Sequence, residues 1–252
     1  MQIGLIGSGN MARALARGWG QPVLCTDSGS GRARALAEEV GGEALASNLE
    51  LARRADVVVL CHKPRQLDSV AREIAGDARV VASVLGATPV AALQKAFNGT
   101  PAFRLMPNTA VEVRHGVICY TPGAGVDRDL ERQVLELFQR VGRVVTVEER
   151  LLEAAAAVMS VGPAYQALLA EAQVDAAVRH GLPAPLASQL VVETMRGTAE
   201  LLEARDYDTL AVRRDVTSPG GSTARGLAAL ERAGVRAAFE DAIDAVVGGS
   251  RR

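Results

Sequence analysis

The run Gly7-Ser8-Gly9-Asn10-Met11-Ala12 lies between a short apolar stretch, Gln2–Ile6, and a helical stretch, Ala12–Trp19. This placement constrains the fold more than any other feature of the chain. Gly7 permits a tight turn from strand into helix, Gly9 leaves the backbone open to close approach, and Ala12 lets the helix lie close against the strand. A second strand signal, Val23–Thr26, ends at Asp27, roughly the 20 residues after the first glycine at which a dinucleotide-binding unit carries its acid. In this setting G-x-G-x-x-A reads as a dinucleotide fingerprint, with a pyrophosphate over Gly9 at a helix N-terminus. The residues expected to line that site are Ile6, Gly7, Ser8, Gly9, Asn10, Met11, Asp27 and Ser28.

The pattern continues as alternating strands and helices. Strands are expected at Val57–Cys61, Val80–Leu85, Ala102–Met106, Val117–Tyr120 and Arg143–Val147, with helices at Gly31–Val40, Leu49–Arg54, Pro64–Ala75, Val90–Phe97 and Arg128–Val141. Continuous apolar strands separated by helices predict an α/β domain: a Rossmann-like, doubly wound, mostly parallel sheet covered on both faces. Ligands of such sheets bind beyond the carboxyl ends of the strands. That rule places Gly7–Met11, His62–Pro64, Ser83–Ala87 and Met106–Thr109 on one rim.

Near residue 148 the strand signals stop and long Ala/Leu-rich helices begin. The expected division is therefore a dinucleotide-binding domain at 1–148 and an all-helical dimerisation and substrate-binding domain at 149–252. The helical part is apolar enough to predict a homodimer through it. Ala154–Ala170 carries no charge but is too short and too weakly apolar for a membrane span, and reads as a helix buried between subunits. A net charge of −1 gives no field to attract nucleic acid or a membrane surface. The three cysteines, Cys25, Cys61 and Cys119, have no metal spacing and read as buried reduced thiols of a cytoplasmic protein. No metal site is expected. The tail Gly248–Arg252 is expected to fray.

The most informative segment of the helical part is Asp215–Glu231, DVTSPGGSTARGLAALE. Pro219 fixes one backbone angle, and Gly220 and Gly221 free the next two. Such a turn can aim backbone N–H groups and the hydroxyls of Ser218, Ser222 and Thr223 at one point at a helix N-terminus, where an anion is favoured. A small carboxylate fits that description. So does an ordinary helix start with Ser222 or Thr223 as N-cap, and the segment alone leaves both open.

Five pieces in order carry a resemblance to the pyrroline-5-carboxylate reductase family over nearly the whole length. They are IGLIGSGNMARAL at 3–15, DVVVLCHKP at 56–64, RLMPNTAVEVRHG at 104–116, GPAYQALLAEAQVDAAVRHGLP at 162–183 and DVTSPGGSTARGLAALE at 215–231. The resemblance implies hydride transfer from NADPH or NADH to the imine carbon of 1-pyrroline-5-carboxylate, giving L-proline. It also implies an intertwined dimer, a site between the domains, and dimers that often build larger rings. It assigns Thr223 as the polar catalytic residue and Lys63 to the nicotinamide side. Ser218, Gly220, Gly221, Ser222, Thr223 and Asn108 are assigned to the substrate. Asn48, Lys63 and Pro64 join the cofactor residues. Residue by residue, the alternatives are an Asx turn at Asn108, a helix cap at Asn48, and a solvated side chain at Lys63. Lys63 and Lys95 are the only lysines of the chain, which favours a specific use of Lys63.

The chain departs from the family pattern at Ser160-Val161, at Gly86-Ala87-Thr88-Pro89 and at Arg205-Asp206-Tyr207-Asp208. Reduction of another small cyclic imine, or a non-catalytic nucleotide-binding paralogue, therefore stand as alternatives. Cofactor choice has two opposed signals. Asp27 favours NADH through the ribose hydroxyls, whereas Ser28, Ser30, Arg32 and Arg34 suit the 2′-phosphate of NADPH. The family preference tips the expectation to NADPH.

Overall fold

A computed structural model describes residues 1–123 and 126–249. The chain forms two compact units, Met1–Pro163 and Ala164–Arg252.

The first unit is built on eight strands: β1 (Ile3–Ile6), β2 (Leu24–Thr26), β3 (Glu43–Ala44), β4 (Val57–Leu60), β5 (Val81–Ser83), β6 (Ala102–Pro107), β7 (Gly116–Thr121) and β8 (Gly142–Thr146). They lie in the order β3-β2-β1-β4-β5-β6-β7-β8. The first six strands are parallel and reproduce the 3-2-1-4-5-6 order of a dinucleotide-binding sheet. β7 then pairs antiparallel with β6, and β8 parallel with β7. The reversal follows from the link between β6 and β7. It holds one short 3₁₀ turn, Thr109–Val113, closed by Arg114 at φ 63°, too little chain for the helical crossover that a parallel neighbour needs.

Side chains alternate across the strands, so each face has its own core. Ile3, Leu5, Val57, Val59, Phe103 and Leu105 face α1 (Asn10–Trp19), α2 (Arg32–Val40) and α6 (Arg128–Gln139). Ile6, Val58, Leu60 and Val81 face α3 (Asn48–Arg54), α4 (Leu67–Ile74) and α5 (Val90–Ala96). α1 is pinned at its far end. The Trp19 indole donates to the Leu137 carbonyl at 3.0 Å and meets Phe138 edge to face at 5.6 Å, and Arg114 Nε donates to the Gly18 carbonyl at 2.8 Å. α7 (Leu152–Met159) belongs to this unit and lies against β7, with Leu152 and Ala157 buried. The compact unit therefore reaches one helix beyond the change of composition near residue 148.

The second unit contains α9 (Ala184–Ala204), α10 (Thr209–Asp215), α11 (Ser222–Arg232) and α12 (Val235–Gly249), with most of α8 (Gly162–Arg179). Its own core is thin. α9 buries only Ala187 and α10 only Val212, while Leu168, Leu186, Leu190, Val192 and Leu230 stand exposed. Tyr165 and Phe239 meet edge to face at 6.5 Å. α12 continues through Gly248 and Gly249, where fraying is expected, and residues 250–252 of that tail lie outside the described residues. Among the described residues no helix is long and apolar enough to cross a membrane.

Gly18 sets how closely α1 approaches the Thr109–Val113 turn, since a Cβ there would lie 2.1 Å from the Val111 carbonyl oxygen. Backbone gives way less readily than a side chain, so Gly18→Ala is expected to destabilise by about 1–3 kcal/mol despite alanine's better helix propensity. A lower urea midpoint at unchanged slope is the expected result; an unchanged or higher midpoint refutes this account.

Candidate active site

A cavity of about 680 Å³ opens at the carboxyl ends of β1, β2 and β4. Ile6, Gly7, Ser8, Gly9, Asn10, Met11, Asp27, Ser28, Asn48 and Lys63 all line it. Its floor is the glycine turn. Gly7 has φ 95°, and a Cβ on it would lie 2.7 Å from the His62 nitrogen. Gly7 N–H and the Ser8 hydroxyl both donate to the Thr26 carbonyl, at 3.1 and 3.0 Å, which ties the turn to the end of β2. Gly9 differs. It is extended (φ −81°, ψ −170°), it is the N-cap of α1, and nothing lies within 4 Å of where its Cβ would sit. The first intrahelical bond of α1 is Arg13 N–H to the Gly9 carbonyl, so the amides of Asn10, Met11 and Ala12 remain for an anion.

The β2 side of the cavity is made by Asp27 and the loop after it. Asp27 Oδ1 accepts from Gly29 N–H at 2.7 Å, and Oδ2 accepts from the Ser30 hydroxyl and Ala33 N–H, each at 2.9 Å. Burial disfavours the charged carboxyl, but these donors outweigh it and hold Asp27 below the usual carboxylate range. Ser30 and Arg32 line the cavity with Ser28; Arg34 does not. Asn48 is not the cap of α3. Ser47 holds that place, its hydroxyl accepting from Glu50 N–H. Asn48 instead bridges two walls: its Oδ1 accepts from the Thr26 hydroxyl at 2.6 Å, and its Nδ2 donates to Glu73 at 2.7 Å.

At the end of β4 the cavity meets Cys61, His62 and Lys63. Burial pushes the Cys61 thiol up to about 12, so it is neutral. Burial also lowers the His62 pKa, against the Lys63 carbonyl and Glu73, which raise it. His62 Nδ1 lies 2.9 Å from the Lys63 carbonyl, which can only accept, so Nδ1 carries the proton. The Gln66 side chain accepts from Lys63 N–H at 3.1 Å and fixes the backbone here. Among the described residues the Lys63 ammonium group has no acidic partner. Pro64 opens the 3₁₀ turn Pro64–Gln66 and sits beside the cavity, not in its lining. Gln66, Ser69, Val70 and Glu73 complete the wall. No motif marks them; they enter because α4 runs back along the cavity.

Two groups of expected residues lie elsewhere. Asn108 is 7% exposed and its side chain is committed: Oδ1 accepts from Val117 N–H at 3.2 Å and Nδ2 donates to the Met159 carbonyl at 3.1 Å. It joins β7 to α7 and is absent from the cavity lining. In the second unit, the turn closes with Gly221 N–H donating to the Ser218 carbonyl at 3.0 Å, and Gly220 has φ 69°. Gly221 is the N-cap of α11, and no side chain caps the helix. The capping role open to Ser222 or Thr223 is therefore not taken by either. Arg225 braces the turn by donating to the Gly220 carbonyl at 2.8 Å.

The sheet order, the glycine turn and the cavity above it define a dinucleotide-binding oxidoreductase. Residues 2–86 match the family model described as NADP oxidoreductase, coenzyme F420-dependent, and residues 149–252 match the one described as pyrroline-5-carboxylate reductase dimerisation. A pyrroline-5-carboxylate reductase from Synechocystis sp. is 35% identical over 254 residues, spanning 97% of this chain and 95% of that one. Among solved structures, a Streptococcus pyogenes 1-pyrroline-5-carboxylate reductase superposes with a TM-score of 0.89 at 27% identity, covering 99% of this chain and 98% of that one. A Plasmodium falciparum pyrroline carboxylate reductase with NADP bound gives a TM-score of 0.88 at 26% identity, covering 99% and 97%. The chain belongs to the pyrroline-5-carboxylate reductase family.

Gly7 and Gly9 separate a folding requirement from a ligand requirement. Gly9→Ala adds a methyl to open space on extended backbone, so its stability cost is expected to stay below about 1 kcal/mol. The methyl occupies the approach of the pyrophosphate, and the dissociation constant for NADPH is expected to rise at least about tenfold. Fluorescence titration alongside thermal melting checks both; binding within twofold of wild type refutes the placement.

Proposed function

We propose that this chain reduces 1-pyrroline-5-carboxylate to L-proline, using NADPH in preference to NADH, as a homodimer formed through its helical region. The observation that carries the reading is the cavity over the glycine turn, lined by fingerprint residues and Lys63, in a chain that matches relatives bearing that enzyme name over 95% of their length. Three thiols, none in a disulfide, suit a cytoplasmic enzyme.

The residues fit the cofactor. The free amides of Asn10–Ala12 and the open backbone of Gly9 would receive the pyrophosphate, and Ser28 and Arg32 would present a hydroxyl and a guanidinium to a 2′-phosphate, the Ser30 proton being held by Asp27. When bound, the nicotinamide supplies a hydride, that is, two electrons and one proton. That hydride would go to the imine carbon, making the C=N bond single, while the ring nitrogen would keep one further proton taken up from solvent or a bound donor. Lys63 lines the cavity and would position the cofactor by donating hydrogen bonds to it, since a positive charge set against the ring itself would oppose the cation left by hydride loss. The Ser218–Thr223 turn holds the substrate carboxylate on the amides at the start of α11, which no side chain occupies. Thr223 orients the ring nitrogen, a role its hydroxyl can take because it caps nothing. Asn108 acts by positioning, since both ends of its amide are bonded to backbone.

The direct test follows NADPH and NADH absorbance with purified protein and 1-pyrroline-5-carboxylate, with proline identified as product. Saturable oxidation with proline formed is the expected result, faster with NADPH at low concentration. Cofactor binding without oxidation, or faster turnover of another cyclic imine, sinks the substrate assignment. Thr223→Ala is expected to lower kcat at least tenfold, about 1.4 kcal/mol of transition-state stabilisation, with cofactor affinity unchanged. Full activity would leave Thr223 no part in the chemistry.

A further inference from the structure

We infer that Asp27 builds the NADPH pocket rather than barring it. An acid at the end of the second strand ordinarily accepts from the ribose hydroxyls and repels a 2′-phosphate, selecting NADH. In this chain the carboxylate is already engaged. Three donors reach it at 2.7–2.9 Å, from Gly29, Ser30 and Ala33, and a carboxylate offers about four lone-pair sites. A ribose hydroxyl would compete with donors already in place.

The geometry around Asp27 shows what that engagement achieves. Gly29 and Gly31 have φ 88° and 75°, and nothing lies within 4 Å of a Cβ at either. These glycines serve backbone conformation, not close packing. They turn the chain round the Asp27 carboxylate, and the result is that Ser28, Ser30 and Arg32 line the cavity. Gly31 is also the N-cap of α2 and carries no side chain, so Asp27 does from outside what a capping residue would do, accepting from Ala33 N–H in the first turn. Burial works against its charge, but the hydrogen bonds prevail and keep it ionised. Asp27 still lines the cavity, but its negative charge is met by loop donors, and the groups beside it left to donate to the ligand are the Arg32 guanidinium and the Ser28 hydroxyl. That set suits a phosphate monoester, the 2′-phosphate of the adenosine ribose. Asp27 is a positioning residue for cofactor choice.

This inference rests on the NADPH reading above, and one set of titrations separates the two. Dissociation constants for NADPH and NADH are measured by fluorescence with wild-type full-length protein, Asp27→Asn, Gly29→Ala and Arg32→Ala. Wild-type preference for NADPH, abolished in Arg32→Ala, tests the cofactor reading by itself. For Asp27→Asn, the amide nitrogen cannot accept from the loop, and affinity for NADPH is expected to fall at least fivefold with NADH changed less than twofold. Gly29→Ala strains the same loop without altering a charge and is expected to follow in direction, which keeps the test decisive if the asparagine variant folds poorly. An acid that selects NADH gives the opposite sign, tighter NADPH binding on removal of its charge. That result, or equal loss of both cofactors in the two variants, overturns the inference.

Discussion

The contact between the glycine turn and the end of β4 is the constraint on which the site depends. Backbone of Cys61 and His62 passes 2.7–2.8 Å from where a Gly7 Cβ would sit, and Gly7 holds φ 95°. Only glycine meets both demands at once. The same turn is bonded to the Thr26 carbonyl through Gly7 N–H and Ser8. One residue thereby locks the ends of three parallel strands, β2, β1 and β4, into register at the rim where ligand binds. The amides of α1 then face the cavity because the helix has no alternative direction to leave that turn.

A different economy governs the second unit. Its long helices bury little among themselves, and leucines such as Leu168, Leu190 and Leu230 are more than half exposed in the single chain. Removing such apolar faces from water favours association, in keeping with the dimerisation model that matches residues 149–252. The apolar composition that marks the region in the sequence is therefore interface as much as core. The carboxylate site proposed for it is the start of α11, where Gly221 rather than a hydroxyl residue takes the cap position. An uncapped helix start costs stability, and here it leaves backbone donors available to an anion.

What the sequence discloses follows from how local each cause is. β1, the glycine turn and α1 are legible because strand, turn and helix signals fall within twenty consecutive positions and agree. β3 escapes notice because two residues, Glu43 and Ala44, both exposed, carry no periodicity; only pairing to β2 makes them a strand. The antiparallel entry of β7 was equally hidden in its hydrophobicity, which reads the same in either direction; the shortness of the Pro107–Gly116 link is the cue. Of the site residues, those set by the fingerprint lie in the cavity. Gln66, Ser69 and Glu73 are supplied by packing of α4, and no spacing announces them. Asn108 shows the converse. An asparagine in a Met-Pro-Asn-Thr segment resembles a ligand residue, yet its partners are Val117, across the turn into β7, and Met159, which is distant in sequence and is brought to it only by the fold. Asp27 is visible in the sequence as an acid at the right position, but its hydrogen-bond partners depend on the positive φ of Gly29 and Gly31.

Two of the three segments in which the chain departs from the expected family pattern share a physical property. Among the described residues four that are not glycine have positive φ: Ala87 at 51°, Arg114 at 63°, Asp206 at 52° and Tyr207 at 63°. Three of the four fall in the departing segments 86–89 and 205–208. Such a conformation costs an L-residue about 1–2 kcal/mol, so each needs support from its surroundings. At Ala87 that support is visible. Thr88 is 4% exposed and its hydroxyl donates to the Gly86 carbonyl at 3.1 Å. Just beyond, Glu149 accepts from Val90 N–H at 2.7 Å and from Arg104 at 2.5 Å, with Arg104 itself 8% exposed. Leaving Arg104 without this carboxylate would strand a buried charge, so the pair is hard to dissolve. The loop after β5 is thus clamped by a residue at the first turn beyond β8. A strained loop held by an ion pair whose cation is buried keeps one shape.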